Sequence, residues 1–142
     1  MSEAGRPELT HLALAVLDLD HSLRFYEEYC GLRVIHRREE KDRVRVAWVA
    51  DSQAGGEGFV LVLAEGASKG EPLGPFAHLG FSVGSRDEVD EVAERAREDG
   101  ILHLEPVDAG PVVGYLCEIR DPDENLVELS HGQELGRRHR PG

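Results

Sequence analysis

Residues 10–16 read THLALAV, and residues 77–83 read AHLGFSV. Each stretch places a histidine, His11 or His78, at the mouth of an alternating, mostly apolar run. Alternation over five or six residues is typical of a β-strand. Two strands that open alike, at matching places in the two halves of a short chain, indicate an internal repeat.

The resemblance between the halves continues past these strands. A polar turn follows each, then a helical stretch with one apolar stripe, for which Asp18 or Asp20 and, in the second half, Ser85 are N-cap candidates. Gly31 and Gly100 then stand where a helix ends in a left-handed residue. Three more strands are predicted in each half: LRVIHRR, RVRVAWVA and GFVLVLAE, then ILHLEPV, VVGYLCEI and NLVELSH.

Each half therefore predicts a β-α-β-β-β module in an α+β fold. Module one covers about residues 8–66, a Gly/Pro-rich linker 67–75, module two about 76–132, and a tail 133–142. Neither half alone could bury both its sheet face and its helix. We therefore predict a single domain, residues 1–142, made of two modules.

Composition excludes several classes of function. The formal net charge is −12, which argues against nucleic acid, and the one basic cluster, RRHR at 137–140, is read as a solvated tail. No apolar run could span a bilayer, and the N-terminus does not resemble a signal peptide. Cys30 and Cys117 form no metal-spacing motif. A cytoplasmic protein with two reduced, buried or half-buried thiols is the simplest reading.

The repeat also aligns residues that carry chemistry. GFVLVLAEG at 58–66 matches ENLVELSHG at 124–132 without a gap, which sets Glu128 opposite Val62. With the opening histidines, the repeat offers four equivalent positions: His11, Val62, His78 and Glu128. Alone, each histidine or the glutamate is most often a solvated side chain. Together, two imidazoles and a carboxylate predict a divalent metal, Fe(II), Mn(II), Zn(II), Ni(II) or Co(II), with open positions for substrate.

At this point the chain resembles the vicinal oxygen chelate superfamily, which includes glyoxalase I, bleomycin-resistance proteins, extradiol dioxygenases and fosfomycin-resistance enzymes. The resemblance covers about residues 8–132 and rests on THLALAVLDLDHSLRFYEEYCGLRV, FAHLGFSV and IRDPDENLVELSH. It implies a cup-shaped mixed sheet built by the two modules, with His11, His78 and Glu128 as the metal ligands. It also implies a homodimer, with ligands from one chain or from two.

The chain departs from the family's pattern in two places. Val62 stands where glyoxalase I and the epimerases usually have a fourth ligand, which favours the resemblance to fosfomycin-resistance enzymes and short dioxygenases. Glu124 stands where the family's turn often carries glycine. We expect the left-handed backbone conformation of that turn to fall on Asn125 instead.

Further site residues are candidates by type and place. Tyr115, in a central strand of the cup, is the best candidate for an acid or base, ahead of His36, His103 and His131. Arg120 and Arg45 could meet an anionic group, and Trp48 and Phe59 could line the wall of the cup. A packed tyrosine or a surface arginine is an equally ordinary reading of these residues.

Three functions compete. The first is a metal-dependent dioxygenase, lyase, isomerase or thiol transferase that chelates adjacent oxygens of a small substrate. The second is a metal-free binding protein of the bleomycin-resistance type that sequesters a cationic small molecule, which the acidic charge would suit. The third is a pure interaction domain. The three-ligand set favours the first.

Overall fold

The structure, a computed structural model, describes residues 5–51, 58–66 and 71–135. The chain divides into two compact units, Met1–Glu71 and Pro72–Gly142. This boundary falls within the predicted linker. That the two modules form one domain stays a prediction, and the basic cluster at 137–140 lies outside the described residues.

The first unit has the predicted order of elements. They are β1 His11–Val16, α1 Leu19–Cys30, β2 Leu32–Glu39, a 3₁₀ turn at Lys41–Arg43, β3 Arg45–Asp51 and β4 Val60–Glu65. Its strands form a four-stranded sheet in the order β1-β4-β3-β2. Strand β1 is parallel to β4, and the other neighbours are antiparallel, so the sheet is mixed.

The second unit repeats this arrangement. Its elements are β5 His78–Ser82, α2 Arg86–Glu98, β6 Leu102–Asp108, β7 Tyr115–Arg120 and β8 Leu126–His131. The sheet order is β5-β8-β7-β6, with β5 parallel to β8. The described strands thus form two four-stranded mixed sheets, one in each unit.

The helix ends follow the expected capping chemistry. The Asp18 side chain accepts a hydrogen bond from the His21 N–H at the start of α1, and Ser85 accepts one from the Glu88 N–H at the start of α2. Gly31 ends α1 with φ +69°, and Gly100, just beyond α2, has φ +75°. Asp18 rather than Asp20 is therefore the first cap.

Each sheet buries one face against its helix. In the second unit, Val127, Leu129 and Ile119 are fully buried, and the Cys117 thiol approaches the Val89 carbonyl of α2. Because side chains alternate along a strand, their neighbours Glu118 and Glu128 lie on the other face. We call the side of each sheet turned away from its helix the open face.

The turn between β7 and β8 corrects one expectation. The Asp121 carboxylate accepts hydrogen bonds from the backbone N–H groups of Asp123 and Asn125, at 2.9 and 2.8 Å. The Asn125 side-chain oxygen in turn accepts from the Leu73 N–H at 2.8 Å. Asn125 is thereby held, and the left-handed conformation falls on Glu124, with φ +71°.

Candidate metal centre

His78 and Glu128 lie side by side on the open face of the second sheet. His78 opens β5 opposite Leu126, and Glu128 lies two residues further along β8. The His78 Nε2 atom is 3.7 Å from Glu128 Oε1. Glu128 is 7% exposed. A carboxylate buried this far needs a partner of positive charge or several hydrogen bonds.

The His78 ring is oriented by the backbone. Its Nδ1 atom lies 2.8 Å from the carbonyl oxygen of Phe76. A carbonyl only accepts hydrogen bonds, so Nδ1 carries the hydrogen, and in the neutral ring Nε2 presents a lone pair. That lone pair is on the nitrogen nearest Glu128. Metal-binding histidines are typically fixed in this way through their other nitrogen.

The second oxygen of Glu128 is held by Gln133. The Gln133 amide nitrogen donates to Glu128 Oε2 at 3.2 Å and to the Val113 carbonyl at 3.1 Å. This leaves Oε1 as the oxygen nearest His78. On the neighbouring strand, a Cβ atom at Gly80 would lie in ordinary van der Waals contact with Oε2, at 3.7 Å.

A tight loop before β7 supports Gln133. Gly114 has φ +89°, and a Cβ atom there would come 2.5 Å from the His131 carbonyl oxygen. Only glycine permits this approach. The Glu134 N–H also donates to the Val112 carbonyl at 2.9 Å. These contacts attach the segment that carries Gln133 to the loop on its other side.

His11 occupies the matching place in the first unit. It pairs with Val60 on β4, as His78 pairs with Leu126 on β8. Its Nδ1 atom lies 2.9 Å from the Thr10 hydroxyl. Val62 takes the register position that Glu128 takes in the second unit, two residues beyond the partner of the histidine. The first unit therefore has the imidazole but no carboxylate.

Beside His11 the open face of the first sheet is apolar. A concavity of about 220 Å³ is lined by Thr10, His11, Trp48, Val60 and Val62. Trp48 is 36% exposed, and its ring lies 4.7 Å from that of His36. Trp48 lines this concavity of the first unit, and its role in substrate binding stays a prediction. Phe59, 47% exposed, does not line this concavity.

Tyr115 does not fit the catalytic role that the sequence suggested for it. In β7 it alternates with Cys117 on the helix side of the sheet, opposite to Glu128. Its hydroxyl donates to Asp90 of α2 at 2.6 Å, and the Arg86 guanidinium stacks on its ring at 4.6 Å. The hydrogen bond to Asp90 raises the pKa of Tyr115 above its ordinary value. The hydroxyl is a structural donor.

The other candidates divide between the two faces. Arg120 lies on the open face, and its Nη2 atom donates to His103 Nδ1 at 2.9 Å. His131 is turned to the helix side, where its Nδ1 lies 3.3 Å from the Val83 carbonyl.

Two further side chains have structural partners. Arg45, in the first unit, forms a bidentate ion pair with Glu65. Burial raises the pKa of the Cys117 thiol to about 11, which leaves it protonated and inert.

Sequence reasoning missed Glu118 and Gln133. Glu118 pairs directly with Glu128 across β7 and β8, on the open face. The alternation of CEIR in β7 was a usable signal for Glu118, whereas nothing local marks Gln133. Within the described part of either unit, no three His, Cys, Asp or Glu side chains gather as a complete metal-binding group.

Comparison with known proteins identifies a family whose model matches this chain and several proteins with similar sequences. The model of the Glyoxalase/Bleomycin resistance protein/Dioxygenase superfamily matches residues 8–129. An uncharacterized protein of Pseudomonas aeruginosa is 42% identical over 130 residues, 92% of each chain. A lactoylglutathione lyase of Escherichia coli O157:H7 is 28% identical over 134 residues, 91% of this chain and 96% of that one.

A solved structure is similar along most of its length. It is a variant of the fosfomycin resistance protein FosX from Listeria monocytogenes, complexed with Mn(II) and dihydroxypropylphosphonic acid. The TM-score is 0.65 at 26% identity, and the match covers 87% of this chain and 90% of that one. The α+β fold of two βαβββ modules is thus the fold of this superfamily.

Proposed function

Because the chain belongs to the glyoxalase/bleomycin resistance protein/dioxygenase superfamily, we propose that it is a metal-dependent enzyme acting on a small molecule with two adjacent oxygen donors. The observation that carries the proposal is the His78–Glu128 pair. A backbone carbonyl fixes the histidine, and its free nitrogen faces a buried carboxylate at 3.7 Å.

This donor pair fits a first-row divalent ion. The His78–Glu128 separation is too long for a hydrogen bond. It is, however, within the span of about 4.2 Å that two metal–ligand bonds of about 2.1 Å can reach. An imidazole and a carboxylate suit Fe(II), Mn(II), Zn(II), Ni(II) or Co(II). Gln133 engages Oε2 and so leaves Oε1 for the ion.

We propose His11 as the third ligand, contributed by the same chain or by the partner in a homodimer. Its support is the repeat: His11 has the strand register of His78, and the resemblance assigns it this role. When bound, the ion would polarise the substrate's oxygens as a Lewis acid and hold them as a template. Val62 supplies no ligand, so coordination positions stay available for those oxygens.

The relatives favour an enzyme and leave the reaction open. One relative is a lactoylglutathione lyase and another is the FosX protein, whose structure contains Mn(II). Both match nearly the whole chain. Lyase or isomerase, thiol transfer and ring-cleaving oxygenation are the classes in question, and Val62 weighs against a four-ligand glyoxalase site. A cytoplasmic location and a homodimer are parts of the same proposal.

The alternative is a metal-free protein that sequesters a cationic small molecule, for which the net charge of −12 is the favouring observation. Sequestration by charge alone has no need of a histidine oriented toward a buried glutamate. The two functions therefore differ in what happens when a metal is offered.

The test is calorimetric titration of Mn(II), Ni(II) and Zn(II) into chelator-treated protein. We expect His11→Gln, His78→Gln and Glu128→Gln each to weaken metal binding by more than about 100-fold, since supporting residues alone contribute about 10- to 100-fold. His21→Gln and Glu91→Gln, both exposed on helices, are the matched controls. Equal binding by wild type and ligand variants, or none by wild type, would refute the proposal.

The same titration can also test a variant that is expected to bind the metal more tightly than the wild type. Because Val62 has the register of Glu128, Val62→Glu sets a carboxylate beside His11 as Glu128 stands beside His78. We expect tighter metal binding by this variant and weaker turnover, because a coordination position is then filled. The metal-loaded wild type is the enzyme to screen with catechols, epoxides and α-keto thioesters.

A further inference from the structure

We propose that Glu118 determines substrate specificity at this site by selecting a group that donates hydrogen bonds, a hydroxyl or an ammonium, over an anionic group. Glu118 pairs directly with Glu128 across β7 and β8, on the open face. Side chains opposite each other on neighbouring strands have Cβ atoms about 5 Å apart. The inference rests on the proposed function, because it assigns a second carboxylate to the same site.

The pairing of Glu118 with Glu128 is unfavourable unless something positive lies near it. Two like charges directly opposite in a sheet destabilise it. The Glu118 side chain is only 18% exposed, so water screens it incompletely. Proteins accept such unfavourable pairs mainly at functional sites, so the pairing of these two carboxylates indicates that Glu118 has a role in binding.

The His103 ring, which Arg120 holds, faces the Glu118 carboxylate. Arg120 Nη2 lies 2.9 Å from His103 Nδ1. A guanidinium can only donate, so His103 Nδ1 accepts and the hydrogen of the neutral ring is on Nε2. That Nε2 is 3.9 Å from Glu118 Oε1. His103 is therefore turned with its donor nitrogen toward the carboxylate, but the distance is too long for a hydrogen bond, so this donor does not occupy Glu118 Oε1.

Arg120 does not neutralise this acceptor. Its three nitrogens are directed elsewhere: Nη2 to His103, Nη1 to the Leu102 carbonyl at 3.5 Å, and Nε toward Glu124 Oε1 at 3.8 Å. The anion-binding role that the sequence suggested for Arg120 is thus replaced by a positioning role. The residue opposite Glu128 on β7 is therefore Glu118, a carboxylate that accepts hydrogen bonds. It repels a carboxylate or phosphonate of a substrate and attracts a group that donates hydrogen bonds.

The test compares three catechols that share adjacent oxygens and differ in charge: dopamine, catechol and 3,4-dihydroxybenzoate. Their affinities for the Mn(II)-loaded protein are measured by calorimetry without oxygen. We expect the wild type to prefer dopamine over 3,4-dihydroxybenzoate by about tenfold or more, as one charge a few ångströms away in a partly solvated site predicts. Glu118→Gln should reduce the ratio to within about threefold.

Two further variants keep the result interpretable. Glu91→Gln makes the same charge change on the exposed face of α2 and should leave the ratio unchanged, which separates Glu118 from the acidity of the whole chain. Glu118→Thr, which suits a strand, replaces Glu118→Gln if the latter has no cooperative melting transition. A ratio that Glu118 variants do not change, or an anion preference in wild type, would overturn the inference while leaving the metal site intact. Failure of wild type to bind Mn(II) would overturn the proposed function itself.

Discussion

At Glu124 the backbone has φ +71°, the left-handed region in which a Cβ atom crowds the following carbonyl. The sequence could predict that one residue of DPDEN must take this conformation, but not which. The choice depends on the docking of Leu73 against Asn125 and on the two N–H groups that Asp121 holds. These are contacts of the folded chain, and no local pattern encodes them.

We therefore expect Glu124→Gly to stabilise the protein by about 0.5–1 kcal/mol, because glycine relieves the left-handed strain at a smaller entropic cost. The exposed ion pair with Arg120 that is lost contributes little. Urea unfolding measures the change. Glu91→Gly, the same substitution within α2, should instead destabilise by about 1 kcal/mol. A destabilised Glu124→Gly variant would show that the turn is not strained there.

The repeat predicts all three candidate ligands, and the described units bring two of them together. These two are His78 and Glu128, whose side chains lie 3.7 Å apart. Its place in an inner strand makes Tyr115 a candidate, but alternation relative to Cys117 sets it on the helix side. Which face a strand residue takes depends on where the strand begins, and a slip of one position reverses it. That is why the role of Tyr115 could not be read from its strand alone.

At the scale of elements, the hairpin of β7 and β8 sets which residues lie opposite Glu128 in the candidate site. Once the five-residue turn 121–125 is known, Arg120 must face Leu126 and Glu118 must face Glu128. The strands, both helices and the caps Asp18 and Ser85 were predictable because each has its own local signal. The turn length is enough to predict that Glu118 pairs with Glu128, so the sequence could predict this pairing.

The start of α1 depends on a residue of β4. Glu65 accepts hydrogen bonds from Arg45 Nε and Nη2, at 2.8 and 2.7 Å, and from the Leu19 N–H at 2.7 Å. The Arg45 hydrogen bonds, and then the Leu19 N–H, lower the Glu65 pKa from 4.5 to about 2. A carboxylate whose pKa is lowered on folding stabilises the fold above its unfolded pKa and loses that contribution as pH falls toward the folded value.

We expect Glu65→Gln to lower the free energy of unfolding by about 1 kcal/mol at neutral pH. The difference from wild type should shrink as pH falls from 4.5 to about 2, the interval between the two pKa values. Urea unfolding across this range measures it. Glu27→Gln, which removes an exposed ion pair with Arg33, is the control and should change little. A difference independent of pH would contradict the role of the Glu65 charge.

At the scale of the whole molecule, the repeat organises the fold and sets the strand register of the candidate ligands. In each unit the first strand begins with a histidine that pairs with the last strand in the same register. Two residues further along the last strand, the second unit has Glu128 and the first unit has Val62. No helix among the described residues is long and apolar enough to cross a membrane. Whether the proposed third ligand, His11, would come from the same chain or from the partner in the proposed homodimer is a property of the assembly, and no pattern in one sequence encodes it.

The most direct test of the central claim is the metal content of the protein purified without chelator or affinity tag, compared with Glu128→Gln. Elemental analysis should find about one first-row metal ion per chain in the wild type and almost none in the variant, because the ion loses its buried carboxylate. Glu91→Gln should retain the wild-type content. A wild type that is empty and cannot be loaded with Fe(II), Mn(II), Ni(II) or Zn(II) would contradict the account and favour the acidic, drug-sequestering function.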